Sequence, residues 1–303
     1  MATLYTQQDK NVRRTWFLMA FFLVIVIALG YFISWYYQSS IILYIAIAFA
    51  LIINVTSYWY SDTISLKTAG AKLASRDQCP VFFRVTENLA ITAGLPMPAL
   101  YVIDDPAPNA FATGRNKHHA AVAVTSGLLG MMNENELSGV IAHELSHIGN
   151  RDTLLQTVVV VLVGFIALAA NIFTRSLWFG GGNRGRSNNG GGGGQLQLII
   201  MIIGIIFTIL SPIIATLIQL AISRKREFLA DADGALLTRY PEGLASALTK
   251  IAAYGSPLRH ANTATAHLYI SNPFGANARK GMSKLFMTHP PTEERIAILR
   301  GME

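Results

Sequence analysis

The chain alternates long stretches without charge and stretches of ordinary mixed polarity. No charged residue occurs between Arg14 and Asp62. At about 1.5 Å per residue a single helix of that length would run about 70 Å, more than twice the ~30 Å hydrocarbon core of a bilayer. The stretch must therefore fold back. The polar triplet Gln38-Ser39-Ser40 is the natural turn and predicts spans near Trp16–Tyr37 and Ile41–Tyr60. Trp16, Trp35, Tyr36, Tyr37, Tyr58, Trp59 and Tyr60 lie at the span ends, where interfacial aromatic belts form. Two further apolar runs follow, Thr153–Thr174 and Leu196–Ile222, and Ser211-Pro212 predicts a kink in the second. Between them nine of the fifteen residues Gly180–Gly194 are glycine, the composition of a flexible linker. The first run is longer than a cleaved export signal and a second span follows it directly, so an uncleaved anchor is expected.

The remaining segments read as one core interrupted by the second apolar pair. Pro80 to Ala93 predicts a helix that opens on proline and stops at Gly94. Ala99–Ile103, Ala110–Thr113 and Ala121–Thr125 are short strands separated by Pro, Asn and Gly signals, with His118-His119 in a connecting turn. Asn133 followed by Glu136 is a capping-box signature and starts a helix running to about Asn150. The expected organisation is an N-terminal arm (1–15), a membrane hairpin (16–60), a first soluble part (61–152), a second membrane hairpin (153–222) and a second soluble part (223–303). The fold class is thus α+β, with four apolar helices in a multi-span membrane protein and one soluble domain.

Composition agrees. Charged residues make up 14% of the chain, against about 25% in ordinary soluble proteins, and mean hydropathy is +0.40. This excludes intrinsic disorder and argues against a fully soluble protein. The net charge of +7 sits beside the apolar runs rather than in a basic stripe with interleaved aromatics, so it implies a lipid bilayer and no nucleic-acid partner. Lys10, Arg13, Arg14, Lys67, Lys72, Arg76, Arg151, Arg224, Lys225 and Arg226 fall on one side of the expected spans, which puts both termini in the cytoplasm. Arg175, Arg184 and Arg186 would lie opposite, unless the third and fourth runs form a hairpin that does not fully cross. A single cysteine, Cys79, excludes intrachain disulfides and multi-Cys metal sites.

The helix ending near Asn150 contains His143-Glu144-Leu145-Ser146-His147. Residues four apart share a helix face, so both imidazoles can reach one ion, and Glu144 can take the proton of a water attacking a carbonyl. About 0.005 such matches are expected by chance in a chain of this composition, so the motif carries weight. Nitrogen ligands favour zinc, which needs a third protein ligand. Glu227 and Asp231, again four apart, begin just after the fourth run. Glu227 would complete a site for one zinc ion per subunit, and Asp231 would hydrogen-bond the far nitrogen of a ligand histidine. Two passes between His147 and Glu227, or one re-entrant hairpin, return the chain to the same membrane face, so the ligands can meet. Asp152, five positions after His147, falls off the ligand face and has no assigned role. His260 and His267 lie outside these motifs and read as structural or surface residues.

His143–Asp152, Glu227–Asp231, Asn109–Gly114 and His289–Arg295 together resemble the HtpX family of bacterial membrane-bound zinc metalloproteases, relatives of the CAAX prenyl proteases. The order of these motifs and the four apolar runs cover nearly the whole chain. The resemblance implies a multi-pass inner-membrane endopeptidase with a zincin-like domain facing the cytoplasm, acting on misfolded or damaged membrane proteins during stress. It implies His143, His147 and Glu227 as ligands, Glu144 as catalytic base and Asp231 as the acid behind a ligand. It further implies His289 and Arg295 as stabilisers of the oxyanion, and Asn109–Gly114, with Asn109, Ala110 and Phe111 as substrate-binding residues, as an edge strand that pairs with unfolded or membrane-protein substrates. The glycine-rich basic loop departs from the family pattern and bears only on loop topology. A prenyl-protein protease is the alternative. A transporter or scaffold holding structural zinc is disfavoured, because the four runs carry no intramembrane charges.

Overall fold

The computed structural model describes residues 4–180, 223–262, 264–275 and 290–302. The fourth apolar run, the glycine linker after Gly180, and His289 lie outside them.

Helix α1 spans Leu4–Tyr36 and α2 spans Ser40–Trp59. They are joined at the expected polar turn, where Gln38 takes a positive φ of 50°. Helix α1 begins well before Trp16, so most of the expected arm is helical. The reason is local: Lys10, Arg13 and Arg14 end the apolar stretch, but no glycine or proline interrupts the helix between Leu4 and Gly30. Gln8–Tyr36 and Ser40–Trp59 are both long and apolar enough to cross a membrane. Their outward faces carry exposed Phe17, Tyr31, Phe32, Trp35, Tyr44 and Ile45.

The soluble part begins with α3 (Ser61–Thr68) and β1 (Ala71–Leu73), continues through α4 (Pro80–Thr92), β2 (Ala99–Ile103), β3 (Ala110–Asn116), β4 (His119–Thr125) and α5 (Ser126–Met131), and reaches α6 (Glu134–Gly149) and α7 (Asp152–Gly180). Helices α8 (Arg224–Thr238), α9 (Pro241–Tyr254) and α10 (Thr292–Arg300) complete the described elements. The four strands form one sheet in the order β1-β2-β4-β3. Strand β2 runs parallel to β4, and β3 pairs antiparallel with β4 on the outer side.

Alternation along the strands divides the core in two. Ala110, Ala112, Val122 and Val124 face a layer of Leu137, Val140 and Ile141 from α6, backed by α4 and α9. Phe111, Ala121 and Ala123 face Leu66 of α3, Val160 of α7 and Tyr269. A further cluster joins Leu18, Met19 and Phe22 of α1 to Leu155, Val158, Val159 and Leu162 of α7. The start of α7 is therefore buried on all sides because it lies between the membrane hairpin and the sheet. Helix α6 and the first part of α7, Asp152–Ile166, form an apolar pair bent by 83°. The described residues thus hold two membrane-type helices, or three if that pair is one span.

Candidate metal centre and active site

Helix α6 starts as its sequence predicts. The Asn133 side chain accepts from the Glu136 amide at 2.9 Å, and the Glu136 carboxylate accepts from the Asn133 amide at 2.9 Å. Three turns on, His143, Glu144 and His147 are buried. Helix α8 presses close against this stretch because Gly234 faces it; a Cβ there would stand 3.1 Å from the His143 amide nitrogen. Glu227, Asp231 and Gly234 are spaced by four and three residues, so one face of α8 delivers two carboxylates to the histidines.

The two His Nε2 atoms lie 3.2 Å apart. Glu227 stands 3.9 Å from His143 Nε2 and 3.6 Å from His147 Nε2. These three side chains offer donor atoms all within 4.8 Å of one another, a possible metal-binding triad. Each imidazole is braced from behind: His143 Nδ1 lies 2.9 Å from Asp231, and His147 Nδ1 lies 3.1 Å from Asp152. An ionised carboxylate only accepts, so both Nδ1 atoms carry hydrogen and Nε2 is the atom that each ring turns into the triad.

Burial holds His143 down at about 4, against the opposing pull of Asp231. Burial lowers His147 too, but Asp152 and Glu227 outweigh it and lift this group to about 9. Asp231 is raised by burial yet drops to about 2, because Arg295 clasps it through Nε at 2.8 Å and Nη2 at 2.6 Å. Glu144 differs from all of these. Both its oxygens are buried, and the hydrogen-bonding influence on them among the described residues is that of the Ala112 amide. Burial pushes it up to about 7, suited to accepting and returning a proton near neutrality.

Arg295 is brought to the site, but not as a free donor facing open space. It is fully buried, and besides Asp231 its Nη1 donates to the Ile270 carbonyl at 3.0 Å. While holding Asp231, the guanidinium also stands beside the triad, with Nη2 3.5 Å from His143 Nε2 and Nη1 3.9 Å from Glu227. His289 lies outside the described residues.

The expected edge strand Asn109–Gly114 corresponds to β3, the outermost strand of the sheet. Asn109 binds Ser271 through its side chain at 2.9 Å, and the Ile270 amide donates to the Ala110 carbonyl at 2.9 Å. Phe111 is buried with its ring edge-on to Tyr269 at 5.1 Å. None of the three presents a side chain to the triad. The alternation of an antiparallel ladder turns the backbone of Ala112 and Gly114 outward, and the Ala112 amide faces Glu144.

Asp152 is the functional residue that sequence reasoning set aside. A continuous helix would carry it off the ligand face, but the chain breaks at Asn150-Arg151, where Arg151 takes a φ of 57°. Helix α7 restarts at Asp152, and the carboxylate swings back to His147. A polar Asn-Arg-Asp interruption before an apolar run, with Asp in a new first turn, was the available signal. His267 is buried and meets the Gln156 carbonyl at 2.9 Å, while His260 is exposed; neither approaches the triad.

Comparison with known proteins fits this site. Residues 81–303 match the family model described as peptidase family M48. A "Protease HtpX homolog" of Caldanaerobacter subterraneus subsp. tengcongensis is 48% identical over 303 residues, covering 99% of this chain and 98% of the relative. One from Pyrococcus furiosus is 48% identical over 291 residues, covering 95% of this chain and 94% of the relative. The crystal structure of S. mikatae Ste24p shares the fold at a TM-score of 0.50 and 18% identity, covering 98% of this chain and 66% of that larger one. Peptidase relatives, membrane-type helices and a possible metal triad together describe a membrane metalloprotease. The chain belongs to peptidase family M48, among its HtpX proteases.

Proposed function

We propose that the chain is a zinc endopeptidase of a bacterial inner membrane, hydrolysing misfolded or damaged membrane proteins at an active site facing the cytoplasm, as part of stress-linked quality control. One observation carries the catalytic reading: a buried carboxylate that joins none of the ion pairs among the described residues, Glu144, stands beside a trio of metal-type donors. A buried carboxylate outside any ion pair is costly, and such sites are where proton transfer is done. Two imidazoles and one carboxylate are the donor set of hydrolytic zinc sites, and His143, His147 and Glu227 would hold one ion per subunit. Bound there, zinc supplies a Lewis acid that polarises the scissile carbonyl and makes water more acidic. Glu144 takes the proton of the attacking water at its carboxylate and returns it to the departing amide nitrogen. Asp231 and Asp152 hold the imidazoles in the ligating tautomer, and Arg295 holds Asp231.

Extended substrate backbone would pair with the outer edge at Ala112 and Gly114, which asks little of its side chains. That suits unfolded segments of many sequences. Lys10, Arg13 and Arg14 at the start of α1, and Lys67, Lys72 and Arg76 after α2, support a cytoplasmic active site by the positive-inside bias. A prenyl-protein protease is the competing reading, and the likeness to Ste24p supports it at the level of fold alone.

The test compares detergent-purified, zinc-loaded wild type with Glu144→Gln on an unprenylated unfolded protein, with bound zinc quantified in both. Activity should fall at least ~100-fold in the variant while zinc is retained. Equal activity in the two would refute the assignment. Cleavage confined to prenylated substrates would favour the competing reading.

A further inference from the structure

Where α6 gives way to α7 the chain bends by 83°, and the break leaves carbonyls at the end of α6 without partners of their own helix. The polar base of α1 supplies them. Gln8 donates to the Gly149 carbonyl at 2.7 Å, and Asn11, one turn later, donates to the Asn150 carbonyl at 3.0 Å. Asn11 does more. Its amide nitrogen also donates to Asp152 Oδ1 at 2.6 Å, so both its hydrogens are committed. Asp152 Oδ2 is then the oxygen facing His147 Nδ1 at 3.1 Å.

We propose that Asn11, at the foot of the first membrane helix, is a positioning residue for the metal centre, locking the Asp152 carboxylate so that it holds His147 in its ligating orientation. The proposal rests on reading His143, His147 and Glu227 as ligands.

Two observations favour a dedicated role over incidental packing. First, Asn11 is 1% exposed and its own carbonyl oxygen makes no hydrogen bond among the described residues. A buried amide with half its capacity unmet is unfavourable where an apolar residue would pack, so the donor half is what the position requires. Second, Asp152 has a competing attraction: Arg226 Nε stands 3.4 Å from Oδ1. Arg226 pulls through charge, without the short directed bond that Asn11 makes to the same oxygen. With Asn11 gone, the carboxylate is free to turn toward the guanidinium and release His147. Partners behind a metal ligand typically change metal affinity ~10–100-fold when removed. On this reading the metal centre is finished by a membrane helix, and a shift of α1 against α7 would be felt at a ligand.

Gln8 provides the internal control, because it anchors the same arm to the same corner without touching any ligand's partner. Full-length protein in detergent, stripped of metal, would be titrated with cobalt(II), whose visible absorption reports ligand geometry. Asn11→Ala should bind cobalt about ten times more weakly than wild type, with an altered spectrum, while Gln8→Ala stays within about twofold. In hydrolysis of an unfolded protein, Asn11→Ala should lower kcat and leave KM unchanged, since Asn11 touches no substrate. Asn11→Ser, which keeps a donor, should fall between wild type and Asn11→Ala, and it decides the matter if Asn11→Ala does not fold. Wild-type affinity in both Asn11 variants, or equal weakening in Gln8→Ala, would overturn the proposal. A wild type that takes up no cobalt would instead remove the metal reading beneath it.

Discussion

The histidines and acids that build the centre differ in how far their neighbours meet their hydrogen-bonding needs. Asp231 is saturated: a bidentate guanidinium on one side and His143 on the other. Asp231→Asn keeps the shape but leaves the buried Arg295 with Glu227, 3.9 Å away, as its remaining described carboxylate partner. It should destabilise metal-free protein by roughly 3 kcal/mol, because breaking a buried ion pair strands a charge. Glu144→Gln should cost nothing or raise stability, since it replaces an unpaired buried acid by a neutral group. Thermal unfolding of the two variants side by side checks the contrast; equal destabilisation would mean that Glu144 is structurally supported after all. The sequence made His143, Glu144, His147, Glu227 and Asp231 legible because spacing of four on a helix fixes a shared face. Asp152 was not, since its place depends on a helix break at an arginine with positive φ, a position where glycine or asparagine would be the usual signal.

At the scale of elements, hydrophobic and capping signals located the membrane hairpin, α4, β2, β3, β4 and α6 closely. They missed β1, whose three residues are too few to show alternation, and they could not say which helix α6 docks against. Glu136 answers the last point. Besides closing the capping box, it accepts from Ser246 at 2.6 Å and from Lys250 at 2.6 Å, four residues apart on α9. Burial raises this carboxyl, but the bonds from Lys250, Ser246 and Asn133 prevail and hold it below its usual value. A group depressed on folding contributes stability that is full above its unfolded value, near 4.5, and is lost as pH falls through the lower folded value. Stability should therefore decline on acidification below about pH 5 in wild type. Glu136→Gln should show a shallower decline, from a lower starting stability. Parallel stability profiles from pH 7 to pH 3 for the two proteins would refute the account.

Across the whole molecule, the membrane hairpin and the peptidase part are packed as one body, which hydropathy alone does not reveal. Apolar runs announce that a segment leaves water, not whether it then meets lipid or protein. The exposed flank of α1 and α2 meets the former, and the first turns of α7 meet the latter. At the far corner Arg115 of the β3–β4 hairpin lies over the Trp59 ring at 4.7 Å, tying the sheet to the end of α2. Leu155 sits in the interface between α1 and α7 with no exposure, whereas Leu236 on α8 is 78% exposed. Leu155→Ala removes buried methyl groups and leaves a cavity, at a cost of about 2–5 kcal/mol, while Leu236→Ala should be nearly silent. Three of the four tryptophans, Trp16, Trp35 and Trp59, lie on the hairpin, so their emission follows that part. Cobalt absorption follows the peptidase part independently. If the two parts unfold together, Leu155→Ala should lower both transitions in step, by roughly 5–15 °C. Were the tryptophan transition to move while the cobalt signal stayed in place, the hairpin would be an anchor only, and a route from α1 to the metal through Asp152 would have no mechanical basis.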